Sequence, residues 1–324
     1  MTTSENTTPL SAARLPWRRG ARRPMSASRR REAIQGYLYI LPWIIGFIIF
    51  VAGPLFASLY YSFTYYPMLA KPSWVGLQNF TNAFFKDRIF WVSSWRTLLW
   101  AITTVPLGIV GSFFAALLLN RAVRLKTVWR VFFFLPSLTP EVAAAILWLW
   151  ILQPDVGIVN STLKAWLGMR GPNWLSSPDW ALPSLVIISL WTGIGSIRML
   201  IFLAGLQGVP QELYDAGMVD GVNWWQRIRH ITLPMISPTM LLNLVLGIIG
   251  ALQVFGLAFV TTGGGPAYAT YFFGLHLYQT AFRSFDMGYG SALAWFLFTV
   301  ILVLTLVQIS LSRRWVYYAG DAGD

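Results

Sequence analysis

Cysteine is absent from this 324-residue chain. That excludes disulfides, thiolate metal centres and Cys nucleophiles. Charge is scarce: Asp, Glu, Lys and Arg make up 11% of the residues, against about 25% in a typical soluble domain. Acids are scarcer than bases, 12 against 24. The two histidines, His230 and His276, lie far apart with no ligand-like spacing, and each reads as a cap or interface residue. None of the four lysines (Lys71, Lys86, Lys126, Lys164) lies in a G-x-x-x-x-G-K-[ST] stretch, so the chain carries no P-loop. No pair of carboxylates falls within one apolar run. A membrane-embedded enzyme would therefore lack a catalytic constellation.

Hydrophobic residues, by contrast, make up 56% of the chain, and mean hydropathy is +0.57. This balance describes an integral membrane protein. Many of the 17 Trp and 13 Tyr stand near the ends of apolar runs, where amphipathic rings anchor at the bilayer interface. The net charge of +12 reads as an orientation signal for the lipid bilayer, not as a nucleic-acid surface.

The pattern predicts an all-α, polytopic protein. Residues 1–35 are polar and Arg-rich, and read as a disordered cytoplasmic tail without a signal-peptide cleavage site. Residues 36–314 form a six-span domain, and residues 315–324 a short second tail. Each span needs roughly 20 apolar residues. The expected spans are about Tyr37 to Phe63, Thr97 to Asn120, Val131 to Leu152, Leu182 to Leu206, Pro234 to Val260 and Met287 to Leu311. With the N-terminus inside, inner segments hold sixteen Lys and Arg against seven outside, so both termini are expected in the cytoplasm. The outer segments bearing Trp74, Phe80, Phe84, Phe85, Trp91, Trp166, Trp174 and Trp180 read as short interfacial helices that offer a surface to an external partner.

One cytoplasmic segment breaks the hydrophobic pattern. Glu212 to Pro234 reads ELYDAGMVDGVNWWQRIRHITLP. Pro210 suits the first turn of a helix, and Glu212 and Asp215 suit its positive end. Leu213, Ala216, Gly217 and Val219 are small or apolar and suited to packing against the bundle. Gly221 permits a left-handed turn, and a second short helix is expected from about Asn223 to Arg229. By physics alone, an ordinary solvated amphipathic loop and a docking helix–turn–helix both remain open.

This segment resembles the EAA loop of binding-protein-dependent ABC importer permeases. Asp215, Ala216 and Gly217 occupy the EAA positions; Gly221 follows after three residues, and Ile231-Thr232-Leu233-Pro234 close the pattern. Asp replaces Glu and Gly replaces the second Ala. Trp74 to Phe80 is similar to the family's external W-x-G-L-x-N-F stretch, and Phe132 to Pro136 to its third span start. Gly264-Gly265-Pro266 and Met287 to Ala292 are similar to the maltose-type and glycerol-phosphate-type first permease subunit. The resemblance covers the chain from about residue 37. It implies a non-catalytic subunit of a carbohydrate importer in the cell membrane, with the type I permease fold. It further implies a second six-span permease, two ATPase subunits carrying ATP and Mg²⁺, and an extracytoplasmic sugar-binding protein. The segment 208–233 would be the coupling loop, with Glu212, Leu213, Asp215, Ala216, Gly217, Asp220 and Gly221 engaging an ATPase.

Ionisable residues inside spans face protein or a wet cavity. Glu141 lies 11 residues past Arg130, and Arg198 lies 11 before Val209. At about 1.5 Å per residue both stand roughly 16 Å from the cytoplasmic edge, so a pair, direct or through water, is expected. Thr139-Pro140-Glu141 also reads as an N-cap, a first-turn proline and a dipole-matched acid restarting a broken helix. Gln253 is the most polar side chain of the fifth span, with Gly247, Gly250, Ala251 and Val254 near it. The resemblance implies that this part, with Gly193 to Ser196, lines the sugar site; Trp191, Phe255 and Tyr268 would supply aromatic faces. Helix packing through small residues, with Gln253 as an interhelical hydrogen-bonding group, is the alternative. A self-sufficient secondary transporter is the remaining rival class; one Glu and one Arg are thin support for it.

Overall fold

The computed structural model describes residues 27–121 and 124–317. The chain divides into two units, Met1–Phe56 and Ala57–Asp324. In the first, α1 (Ala27–Phe47) passes through a π turn (Ile48–Ala52) into α2 (Gly53–Ser62), which runs on into the second unit. The run Arg30–Ser62 is long and apolar enough to span a bilayer. The expected tail of residues 1–35 lies outside the described residues up to residue 26. Beyond that the expectation is corrected: Ala27 already belongs to α1. Ala, Arg, Glu and Gln are good helix formers, and no proline interrupts residues 27–41.

The second unit opens with a two-residue antiparallel pair, β1 (Thr64–Tyr65) against β2 (Ser73–Trp74), and a short helix α3 (Gln78–Phe85). Trp74 is thus a strand residue, not part of an interfacial helix. Asn79 ties α3 to this corner by donating to the carbonyls of Ser62 (2.9 Å) and Thr64 (2.8 Å). The 33-residue α4 (Arg88–Asn120) follows and forms the central post of this unit. Its buried positions include Phe90, Ser93, Thr97, Trp100, Ala101, Thr104, Val105 and Gly108, a helical i, i+3, i+4 stripe.

The third expected span is broken. Helix α5 (Lys126–Phe134) and a 3₁₀ turn (Leu135–Leu138) meet α6 (Glu141–Ile151) at a bend of 93°. Proline forces the preceding residue away from helix, and Thr139 adopts φ −72, ψ 125. Thr139 nevertheless does not cap α6, because the helix begins one residue too late for it. Pro140 takes the N-cap position without a side-chain bond, and Glu141 is the first helical residue. After α7 (Ile158–Leu167), the fourth span comprises α8 (Pro178–Gly193) and α9 (Ile197–Gln207), bent by 49°. The break is held by close backbone approach: a Cβ on Gly195 would overlap the Phe133 carbonyl.

A polar segment of α10 (Gln211–Val219), α11 (Trp224–Arg227), a π turn (Ile228–Thr232) and α12 (Leu233–Met235) leads to the fifth span. That span is α13 (Ser237–Leu252) and α14 (Gly256–Thr261), separated by Gln253-Val254-Phe255. After α15 (Phe273–Tyr278) and a π turn (Gln279–Arg283), α16 (Met287–Ser312) completes the unit. The C-terminal tail is described to Tyr317, whose N–H donates to Ser237 Oγ at 2.8 Å. Among the described residues, four helices are long and apolar enough to cross a membrane, or up to six if each bent pair is one span.

Lipid tails are as apolar as leucine, so helices in a bilayer associate through close packing. Small residues supply it here. A Cβ on Gly205 of α9 would lie 2.6 Å from Thr239 of α13, and one on Gly111 of α4 would lie 2.7 Å from Ile194. One core surrounds Trp100, Leu185, Ile188, Leu257 and Phe272; a second surrounds Phe113, Met199, Phe202, Ile228 and Ile236.

Candidate functional site

The breaks in the third, fourth and fifth spans border one cavity of about 520 Å³, within the size range of small-molecule sites. Its walls come from α4 (Trp100, Thr104, Val105), the α5–α6 break (Ser137, Thr139, Glu141), α8 (Ser189, Thr192, Gly193), Arg198 of α9, and α13 with its break (Gly247, Gly250, Ala251, Gln253, Val254). Gln253, Gly247, Gly250, Ala251, Val254 and Gly193 thus all lie where the sequence places a substrate pathway.

Two expected pathway residues do not. Ser196 closes the start of α9, accepting from the Arg198 N–H at 3.4 Å and donating to the Gly193 carbonyl at 2.6 Å. Trp191 points elsewhere: it meets Trp148 edge-on at 5.6 Å and borders an apolar groove with Trp129 and Phe133. Phe255 packs on Phe259 and Tyr278, and Tyr268 on Tyr271, so neither lends its ring to the cavity. Helix phase decides these cases, and breaks at residues 194–196 and 253–255 reset that phase. Trp100, Thr104, Ser137, Ser189 and Thr192 were not foreseen. The i, i+4 spacing of Trp100 and Thr104 in the uncharged stretch 97–120 of α4 is the signal that could have found two of them.

The expected direct Glu141–Arg198 pair is not formed. Glu141 Oε1 instead accepts from the Leu257 N–H at 2.7 Å, 116 residues away. It caps α14, whose first-turn donors are freed by the break at Gln253–Phe255. A Cβ on Gly256 would lie 2.8 Å from the same carboxylate, so a small residue is required there. Glu141 and Arg198 do share the cavity wall.

The 208–233 segment is built around a Schellman closure. Val222 N–H donates to the Gly217 carbonyl (2.9 Å) and Gly221 N–H to that of Met218 (3.2 Å). Gly221 takes φ +71. Pro210 sits at the N-cap position of α10, one residue earlier than its expected place in the first turn. Asn223 and Gln226 form a capping box that starts α11 (2.8 and 2.9 Å). Gly217 alone of the expected packing residues is buried; Leu213, Ala216 and Val219 are exposed. The α10 face bearing Glu212, Leu213, Asp215 and Ala216, with Asp220 and Gly221 at its end, therefore faces outward. Met218, Trp224 and Trp225 add exposed apolar surface beside it. Tyr214 anchors the segment through Thr232 (3.2 Å) and stacks under Arg227. His230 donates from Nδ1 to the Gln226 carbonyl (3.0 Å), a local cap as expected.

His276 does more than the sequence indicates. Its Nε2 lies 3.0 Å from Asp87 Oδ2, which also accepts from the Tyr289 hydroxyl at 2.7 Å. Asp87 Oδ1 caps α4 through the N–H groups of Ile89 (2.8 Å) and Phe90 (3.1 Å). Burial pushes the Asp87 carboxyl up, but the Tyr289 and Phe90 donors and the His276 charge outweigh it and hold it below its usual range. Burial depresses His276 more than Asp87 raises it. The neutral imidazole therefore donates from Nε2 to an ionised carboxylate. One carboxylate joins α4, α15 and α16.

Comparison with known proteins decides the family. Residues 108–317 match the model of the "Binding-protein-dependent transport system inner membrane component". The chain belongs to that family. The permease is 39% identical to the "Probable ABC transporter permease protein YesP" of Bacillus subtilis, over 90% of this chain and 95% of that one. It is 34% identical to the "Trehalose/maltose transport system permease protein MalF" of Thermococcus litoralis, over 89% and 97%. Its fold matches a crystal structure of a bacterial ABC transporter involved in the import of the acidic polysaccharide alginate (TM-score 0.79, 25% identity, 89% of this chain and 98% of that one). The permease is accordingly a multi-pass membrane protein and a transport component.

Proposed function

We propose that the permease forms half of the translocation pathway of an ATP-driven importer for a sugar or sugar derivative. The observation that carries this reading is the cavity of about 520 Å³ at the three helix breaks, walled by hydroxyl and amide groups, the Trp100 ring, Glu141 and Arg198. Discontinuous helices leave backbone and side-chain polar groups for a polar cargo in the middle of a bilayer. The related trehalose/maltose and alginate systems support a carbohydrate cargo. Each bent pair counts as one span in this reading. That gives six spans, with both termini and the 208–233 segment in the cytoplasm, in agreement with the Lys and Arg distribution.

The partners follow from the chain's own inventory. Without a P-loop it relies on separate ATPase subunits for ATP and Mg²⁺ chemistry, two in the complete importer. The exposed α10 face, with Glu212, Leu213, Asp215, Ala216, Asp220 and Gly221, is the coupling surface they grip, and buried Gly217 keeps it close to the π turn. A second six-span permease supplies the other half of the pathway, and an extracytoplasmic binding protein delivers the cargo. ATP-driven closure of the ATPases biases the bundle between inward- and outward-facing states by differential contact with this surface.

Affinity purification followed by reconstitution tests the reading. Recovery of an ATPase and a second permease, with ATP-dependent saccharide uptake into vesicles, supports it. Full transport by this chain alone rejects it.

A further inference from the structure

We propose that the cavity takes a saccharide bearing an oxyanion, a carboxylate foremost, and that the Arg198 guanidinium receives it. This rests on the reading of the cavity as the substrate pathway. Arg198 lines the cavity and, among the described residues, its guanidinium has no hydrogen-bond or ion-pair partner; their one ion pair is His276–Asp87. Two glycines on other helices make room for its head. A Cβ on Gly108 of α4 would fall on Nη1, and one on Gly247 of α13 would lie 3.7 Å from Nη2. The chain thus leaves a guanidinium-sized slot between α4 and α13.

The one carboxylate among the residues lining the cavity is already engaged. Glu141 spends Oε1 on the Leu257 N–H and lies against Gly256 at the far break. Arg198 is half-buried, and an ion that loses part of its hydration without gaining a partner is unfavourable. Arg198 is also the second residue of α9, close to the helix end that favours anions over cations. A bound oxyanion would relieve both, accepting two parallel N–H bonds from the fork.

The rest of the wall selects a hydroxylated cargo. Ser137 and Thr192 donate their own hydroxyl protons to the carbonyls of Phe134 and Ile188. They therefore present oxygen lone pairs to sugar hydroxyls, while Gln253 offers both a donor and an acceptor. A cation fork beside hydroxyl and amide acceptors, with the Glu141 carboxylate bonded to the Leu257 N–H, describes an acidic saccharide more closely than a neutral one or a bare inorganic anion.

The test uses the permease with the subunits that co-purify with it, in nanodiscs. Uronate disaccharides, each with its neutral counterpart (digalacturonate against galactobiose, for example), are compared by thermal protection and by ATP-driven uptake. The expected result is stronger protection by an acidic member than by its counterpart. That preference falls about tenfold or more, the scale of one charge-assisted contact, in Arg198→Met, and is partly kept in Arg198→Lys. If Arg198→Met does not assemble, Arg198→Lys and Gly247→Leu, which fills the slot, carry the comparison. Equal or better protection by the neutral members, an undiminished preference in the variants, or equal protection by sulfate alone overturns the proposal. Uptake of neutral saccharides only would overturn it while leaving the proposed function standing; absence of ATP-driven saccharide uptake altogether would instead overturn that function.

Discussion

Gly221 separates backbone geometry from steric contact. Its φ of +71 lies in the left-handed region, yet a Cβ built there meets nothing within 4 Å. Replacement therefore acts through the backbone alone. For an ordinary L-residue that region is unfavourable by roughly 1–2 kcal/mol, and for a β-branched one the strain approaches about 3 kcal/mol. If Gly221→Val escapes to negative φ, it breaks the bonds from Val222 to Gly217 and from Gly221 to Met218, about 0.5–1.5 kcal/mol each. Either route disfavours the native α10–α11 angle by about 1–3 kcal/mol, a shift of roughly 5- to 150-fold in its population. Because the turn is exposed, the bundle itself should melt within a few degrees of wild type. The assay is ATP hydrolysis and uptake in reconstituted complexes, with subunit recovery measured in parallel. Gly221→Val should lose at least about fivefold in uptake per ATP hydrolysed, or in ATPase recovery; Gly221→Ala should lie between, and Gly221→Asn, which tolerates left-handed φ, near wild type. Val transporting as well as Gly, or Asn failing as badly as Val, refutes the reasoning.

Other outcomes follow from the same geometry. Asp87→Ala removes an N-cap and orphans the His276 and Tyr289 donors, so the complex should lose about 2–4 kcal/mol of unfolding free energy, read by chemical denaturation in detergent. Both lowered titrations act in the acid direction. Stability tied to His276 is complete above its ordinary 6.5 and declines as pH falls toward its lowered value; that tied to Asp87 is complete above 3.8 and is lost as pH falls through its own. His276→Gln, which keeps a donor, should flatten the part of the melting-temperature decline that begins near pH 6.5. Gly195→Ala should lower recovery of folded permease sharply, because its Cβ would occupy the Phe133 carbonyl position; normal yield and stability would contradict the close approach. Glu141→Gln, which keeps an acceptor for Leu257, should fold normally, and a cycle with Arg198→Met should show coupling under about 0.5 kcal/mol, since the two side chains make no ion pair.

The sequence was most legible where one local rule acts alone. Length and apolarity marked α4 and α16, and Gly221 marked a left-handed closure because a positive φ favours glycine. Pro140 signalled the break in the third span but not its 93° bend, which depends on how Gly195 receives the Phe133 backbone. Around residues 194 and 253 no proline announces the interruption; Trp191 and Phe255 were expected at the site as aromatic faces for a sugar, and the folded chain turns them to Trp148 and to Phe259 and Tyr278. The Asp87–His276–Tyr289 cluster was illegible for a different reason. Its members are separated by up to 202 residues, and nothing local in a lone histidine distinguishes a satisfied partner from a surface one.

The bond from Leu257 to Glu141 bears on how the permease is made. A backbone N–H freed by a helix break cannot stay unpaired in hydrocarbon, and its acceptor here belongs to a segment synthesised 116 residues earlier. The fifth span is therefore expected to be completed only once the segment bearing Glu141 is resident in the bilayer. Replacement of Glu141 by a side chain without an acceptor, such as Glu141→Ala, is expected to appear first as defective membrane integration of residues 253–261, before any effect on transport.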